Sequence, residues 1–300
     1  MNQTSLQKRL ASLPLGELRY FDSVGSTNDL ALAWATEGAP DLSLILADEQ
    51  TQGRGRAGRK WITPRGTALA FSLILRPALT PTPVSDRPTG RGESDLALRH
   101  SLRSQGNAPG LVSERPTGMG EAVSLLTGLG AVALVDALKK YGLAAQIKWP
   151  NDVLLNRKKC AGILVESVWT GEALDASVVG MGVNALAGAV PPAEDLLFPA
   201  TSVEEALGRP ADRLDLLYEI LAALLARRPR LASPAGGELA EAWEEALAFK
   251  EEPVRVEGGS GETLEGRIAG LESDGALRLQ TSRDKIVTVH FGEMRLRPAV

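Results

Sequence analysis

The chain has 300 residues, 44% of them hydrophobic, and its 33 basic and 37 acidic side chains give a formal charge of −4. That balance excludes a protein held to a polyanion by overall charge, so any basic patch is local, and the length suits one large domain with a small satellite. A single cysteine, Cys160, excludes an intramolecular disulfide, Met1–Leu18 has no apolar run long enough for a signal peptide, and no stretch is long and apolar enough to span a membrane. The expected state is soluble and cytoplasmic, with no membrane partner.

Ser23–Asn28 is a cluster of turn and cap residues opening a helix over Asp29–Glu37, where Leu30, Ala33 and Trp34 repeat at helical spacing and Gly38 stops it. Leu42–Ala47 and Ala68–Leu75 read as buried strands. Between them runs Gly53-Arg-Gly-Arg-Ala-Gly-Arg-Lys-Trp61, with four cations from Arg54 to Lys60, three glycines and no acid. Glycine lets a backbone close on a ligand, and arginine offers a planar fork of donors to carboxylate or phosphate. The composition suits a loop that closes over an anion.

From about Ala78 to Glu121 the chain is rich in Pro, Gly, Ser and Arg and has little periodicity. Val84-Ser-Asp-Arg-Pro-Thr-Gly-Arg-Gly-Glu93 recurs there as Val112-Ser-Glu-Arg-Pro-Thr-Gly-Met-Gly-Glu121. Two copies do not make a solenoid. The segment reads as a disordered insertion with a tandem duplication, against the alternative of a binding tail.

Ala122–Tyr141 reads as a helix closed by Gly142, followed by strands at Ala145–Trp149, Cys160–Val168 and Ala176–Val183, the last two joined as a hairpin at Gly171. Helices are expected after Thr201 or Ser202, over Asp212–Arg227 and over Glu238–Phe249. From Glu252 short alternating runs separated by Gly258-Gly-Ser-Gly261, Ser273-Asp-Gly275 and Ser282–Lys285 read as a small antiparallel barrel. The expected domains are 1–249 and 250–300.

Gly53-x-Gly55-x-x-Gly58 satisfies a dinucleotide fingerprint literally, but that motif needs a helix after it, and Arg59-Lys-Trp-Ile-Thr-Pro64 leads instead into a strand. A nucleic-acid arm is opposed by the net acidity and by the lack of any further basic stripe. The second constellation is Lys148-Trp-Pro-Asn-Asp152 at a strand end, with Lys159 seven residues beyond. Asp152 alone would read as a turn residue and Lys159 as a solvated one. Carboxylate, amide and lysine together with the arginine loop propose an adenylating site, with Mg²⁺ and phosphate held by oxygen ligands.

Ser26-Thr-Asn28, Gln50, the Gly53–Trp61 loop, Lys148-Trp-Pro-Asn-Asp152, Lys159 with Ala161-Gly-Ile-Leu-Val-Glu166, and Gly180-Met-Gly-Val-Asn184 together resemble the biotin protein ligases, in order and from about Tyr20 to the C-terminus outside the insertion. The resemblance implies an α+β fold, a mixed sheet flanked by helices of the class II synthetase-like kind, with a C-terminal SH3-like barrel. It implies that biotin attacks the α-phosphate of ATP with Mg²⁺, and that the adenylate then passes to a lysine on the biotin carboxyl carrier protein of acetyl-CoA carboxylase. Ser26, Thr27, Asn28 and Gln50 would bind the ureido ring, and Arg54, Gly55 and Arg56 would close beside biotin and its acyl phosphate. Arg59 would face ATP phosphate, and Lys159, Lys148 and Arg56 would be catalytic. Asn151 and Asp152 would serve phosphate and Mg²⁺, with Asp152 the metal ligand, and Asn184 the nucleotide. Trp61 and Trp149 are expected to be packing residues.

The chain departs from the family in having Ala57 where many members have Arg, and Cys160 where an aliphatic residue is usual. Met1–Tyr20 is too short for the DNA-binding helix-turn-helix of long members, so neither a repressor role nor a nucleic-acid partner is expected, and a homodimer is left open. The nearest rival is a lipoate ligase, and from another class a DNA-binding regulator using the basic loop.

Overall fold

The computed structural model describes residues 1–77, 119–171, 173–231, 236–258, 262–281, 285–290 and 295–298. Of the expected insertion, residues 78–118 and both copies of the duplicated motif, save the end of the second, lie outside these.

Period-two alternation of side chains builds the centre. Seven strands form one sheet: β1 (Leu18–Phe21), β2 (Leu44–Ala47), β3 (Leu69–Leu75), β4 (Ala145–Lys148), β5 (Asp152–Leu155), β6 (Lys158–Thr170) and β7 (Ala173–Val183), in spatial order β1-β2-β3-β7-β6-β5-β4. Only β1 and β2 pair in parallel; every other neighbour is antiparallel. This is the mixed sheet the resemblance implied. The β6–β7 hairpin turns at Gly171, whose φ of 60° lies in the left-handed region.

Helices cover both faces: α1 (Gln3–Leu10), α2 (Thr27–Thr36), α3 (Met119–Lys140), α4 (Val203–Leu207), α5 (Arg213–Arg227) and α6 (Gly236–Glu245). Leu44, Leu46, Phe71, Leu73, Ile163, Val179 and Met181 share the main core with residues of α3 and α5. The alternate residues Ile45, Ile74, Ala176 and Val178 pack on Ala31, Trp34 and Ala35 of α2. Extending that second face along the strands puts Ser72, Gly162, Glu166, Gly180 and Gly182 beside the start of α2, and the site is built there.

A five-stranded antiparallel sheet follows: β8 (Pro253–Glu257), β9 (Thr263–Leu271), β10 (Leu277–Gln280), β11 (Ile286–Val289) and β12 (Arg295–Pro298), in order β11-β10-β9-β8-β12. Its Val254, Val256, Ile268 and Leu277 belong to the same hydrophobic cluster as the main core. Trp149 Nε1 donates to Gly275 O at 3.0 Å. Trp243 packs so closely against Gly128 and Gly275 that a Cβ on either would fall 2.3 and 2.5 Å from the indole. Strands β1, β5 and β12 and helix α1 were not anticipated. Each is eight residues or fewer, too short for periodicity to register.

Candidate active site

The arginine loop is a small hairpin. Arg54 and Lys60 form an antiparallel bridge, and Gly55 N donates to Arg59 O at 2.7 Å. Ala57 and Gly58, at φ 54° and 68°, make the turn. Trp61 N donates to Gly53 O at 2.8 Å, and the Trp61 ring lies across the glycine pair Gly162–Gly182, which face each other in the β6–β7 ladder. The hairpin roofs one pocket lined by Ser26, Thr27, Asn28, Gln50, Arg54, Gly55, Arg56, Arg59, Lys148, Asn151, Asp152 and Lys159. Twelve of the thirteen residues expected at the site are thus brought together.

At one end two ammonium groups share one carboxylate. Lys148 Nζ lies 2.8 Å from Asp152 Oδ2 and Lys159 Nζ 2.6 Å from Oδ1. Strict alternation would turn Lys159 to the core face with Ala161 and Ile163. The register shift opposite, between Val153 and Leu154, absorbs Cys160 as an extra residue and lets Lys159 come over Gly162. Burial works to raise the Asp152 carboxyl, but Lys159 and Lys148 outweigh it and hold it well below the ordinary carboxylate range. Burial lowers the Lys148 ammonium from its ordinary value, Asp152 draws it back up, and Lys159 and Arg297 push it down. Burial also pushes the Cys160 thiol up to about 12, so it stays a neutral packing group.

At the other end the groups are neutral. Gln50 Oε1 accepts from Thr27 N at 2.8 Å and Thr27 Oγ1 at 3.0 Å, which fills its lone pairs. Its Nε2 makes only a 3.4 Å bond to Thr63 Oγ1 and has hydrogens to give. Ser26 caps α2 by accepting from Asp29 N at 3.4 Å and keeps its own hydroxyl hydrogen. Asn28 lines the pocket and is also tied to the protein. Its Nδ2 donates to Leu164 O at 3.3 Å and Glu166 Oε2 at 2.8 Å, and its Oδ1 accepts from Ser72 Oγ at 2.6 Å, so its amide is committed to the protein.

Three further expected site residues are held by partners within the protein. Arg54 is not spare charge for an acyl phosphate. Its guanidinium binds Glu166 at 2.8 and 2.9 Å and Asp29 at 2.5 Å, carboxylates that lie outside the loop in sequence and beside it in space. Asn184 does not line the pocket. It is buried, with Nδ2 donating to Thr201 O at 3.1 Å and its backbone tied to Cys160 and Val203. Both Asp152 oxygens are engaged by lysines, so Mg²⁺ there would have to displace one of them. Asn151 joins two parts of the site: Nδ2 donates to Ile163 O at 2.8 Å, and Oδ1 accepts from Arg56 Nη1 at 3.3 Å.

Sequence reasoning also left out residues that line the pocket. Trp61 is a wall, with Lys159 Nζ 5.3 Å from its ring centre. Leu296 and Arg297 arrive from β12, and Phe198 takes Lys148 and Arg297 over its ring at 5.1 and 5.7 Å. The facing glycines 162 and 182 were the available signal for Trp61. Nothing local pointed to Arg297. The pocket can bind an uncharged polar head at one end and stabilise growing negative charge at the other.

Residues 20–184 match the biotin/lipoate A/B protein ligase family, and residues 251–297 match the biotin protein ligase C terminal domain. The biotin–[acetyl-CoA-carboxylase] ligase of Paracoccus denitrificans is 35% identical, over 85% of this chain and 90% of that protein. The bifunctional ligase/repressor BirA of Bacillus spizizenii is 28% identical, over 99% of this chain and 79% of the relative. The structure of the biotin protein ligase from Aquifex aeolicus in complex with biotin and ATP superposes with a TM-score of 0.70, covering 94% of this chain and 99% of that one at 24% identity, a likeness of fold. The chain belongs to the biotin/lipoate A/B protein ligase family and, within it, to the biotin protein ligases.

Proposed function

We propose that the protein activates biotin with ATP as biotinyl-5′-AMP and transfers the biotinyl group to a lysine of the carrier protein of acetyl-CoA carboxylase, in the cytoplasm. The observation that carries this reading is the pairing of Lys148 and Lys159 on Asp152 in one pocket with the neutral Ser26–Gln50 end. A ureido ring offers a carbonyl acceptor, which suits the free hydrogens of Ser26 and Gln50. A biotin seated by that ring directs its carboxylate along the pocket toward the lysines.

In the first step a carboxylate oxygen of biotin bonds to the α-phosphorus of ATP, and pyrophosphate leaves with the electrons of the broken P–O bond. Lys159 and Lys148, fixed beforehand by Asp152, meet the negative charge gathering on the phosphoryl oxygens, and Arg56 and Arg59 add donors from the hairpin. In the second step the carrier lysine's amine attacks the acyl carbon, an amide forms, and AMP leaves. The hairpin keeps water from the mixed anhydride between the steps. The name of the Paracoccus relative supports acetyl-CoA carboxylase as the source of the carrier. The proposal contains no DNA-binding part, since the loop cations line the pocket or meet carboxylates beside it.

The test is to incubate the protein with ATP, Mg²⁺, biotin and the carrier domain and to weigh the carrier. A mass gain of one biotinyl group, with pyrophosphate released, is expected. A carrier modified with lipoate and not with biotin would move the protein to the other branch of its family.

A further inference from the structure

Glu166 stands on the site face of β6 but does not line the pocket. Its two oxygens join three separate elements. Oε2 accepts from Asn28 Nδ2 on α2 at 2.8 Å and from Arg54 Nη2 on the hairpin at 2.8 Å, and Oε1 accepts from Arg54 Nη1 at 2.9 Å. Beyond Asn28, Ser72 Oγ lies 2.6 Å from Asn28 Oδ1 and 2.9 Å from Thr27 Oγ1, and Thr27 N donates to Gln50 Oε1 at 2.8 Å. The polar end of the pocket and its hairpin roof are therefore joined by polar contacts through two carboxylates, Glu166 of the strand and Asp29 of α2, which meets Arg54 at 2.5 Å.

The forked Arg54–Glu166 pair has the geometry of a strong charge-assisted contact, yet the Arg54 side chain is 39% exposed and the pair is open to screening by salt. A contact of intermediate strength suits a roof that must stay shut over a labile intermediate and open in every turnover. We infer that Glu166 is a positioning residue, which seats the hairpin on the polar end of the pocket and so retains the acyl adenylate until an acceptor amine arrives. Where it speaks of the adenylate, this inference rests on the proposed function.

The full-length protein and its Glu166→Gln, Arg54→Gln and doubly substituted forms test it. Glutamine keeps an acceptor for Asn28 and removes the charge facing Arg54. Release of biotinyl-5′-AMP from the gel-filtered complex should quicken roughly fivefold to thirtyfold in Glu166→Gln, and the biotin KM should rise, because a partly screened charged hydrogen bond is lost. Single-turnover adenylation at saturating substrate should stay within about twofold, since Glu166 touches no reacting atom. The double variant should be no worse than Arg54→Gln, which already loses both Glu166 and Asp29, and high salt should bring the wild type toward Glu166→Gln. Unchanged release, additive effects, or an equal loss of the chemical step would overturn the inference.

Amide exchange in the ligand-free protein reads the same link without substrate. The Gly55 and Trp61 amides, bonded within the hairpin, should exchange faster in both single variants. Unchanged exchange would sink the link whichever substrate is used. A wild-type protein that makes no adenylate from biotin, with exchange altered as expected, would overturn the proposed function and leave the link standing. Should Glu166→Gln not fold, Arg54→Gln carries the release and exchange measurements.

Discussion

Gly182 is a seat for Trp61. A Cβ on Gly182 would fall 2.3 Å from Trp61 Cε2 and 2.4 Å from its Nε1, so the indole can lie on the β7 backbone only where no side chain stands. Gly182→Ala should displace the ring and with it the C-terminal end of the hairpin, at a cost of about 1–3 kcal/mol for overpacking. A lowered Tm together with a raised biotin KM is expected. An unchanged KM would mean that Trp61 is not a working wall of the pocket.

Lys159→Ala removes one of the two ammonium groups on Asp152 and leaves Lys148 to hold the carboxylate. Adenylate formation should fall roughly a hundredfold to a thousandfold, the range for deleting one preorganised donor to a charged transition state. Circular dichroism should show the fold retained. Pyrophosphate release near the wild-type rate would remove Lys159 from the chemistry.

Lys148 sets the alkaline limit. Its pKa is lowered from the ordinary lysine value, chiefly by burial, so as pH rises it loses its proton before a solvated lysine would. The alkaline limb of the adenylation rate should therefore lie below the ordinary lysine range. Arg297 contributes to the lowering, so Arg297→Ala should move that limb to higher pH while slowing the reaction. The linked stability has the opposite sign. Between the lowered and the ordinary value the unfolded chain binds more protons, and stability rises with pH as activity falls. An alkaline limb that Arg297→Ala leaves in place would separate Lys148 from the rate.

The hairpin tip carries a conformational cost at Ala57, whose φ of 54° is disfavoured for alanine by about 1–2 kcal/mol. Asparagine enters that region more readily, and Ala57→Asn should slow amide exchange at Gly55 and Trp61 without a new contact to the ligand. Faster exchange would show that the turn is not held as described.

Much of this was legible in the residues and some was not, for reasons that can be named. The strands bearing Phe71, Ile163 and Val179 announced themselves as apolar runs, and Gly171 marked its hairpin, because those signals are local. Lys148, Asp152 and Lys159 were readable as a set through their spacing in a known motif. The partners of Arg54 were not: Glu166 lies 112 residues away, and only the fold puts that carboxylate beside the loop. The partner of Asn184 was not legible either, because nothing in the letters around it marks an asparagine that satisfies a buried backbone carbonyl. Arg297 was missed because β12 reaches the pocket from the far end of the chain.

Trp243 rests between Gly128 of α3 and Gly275 beyond β9, while Trp149 donates to the Gly275 carbonyl, so the C-terminal sheet completes a core begun in the first half of the chain. Melting should accordingly be one cooperative event, with calorimetry and tryptophan fluorescence reporting the same midpoint. Two separated transitions would contradict the shared core. A chain cut near Lys250 should expose both indoles to quencher and collect in inclusion bodies, so a shortened enzyme made for labelling work would have to retain its last fifty or so residues to be expressed as a folded protein at all.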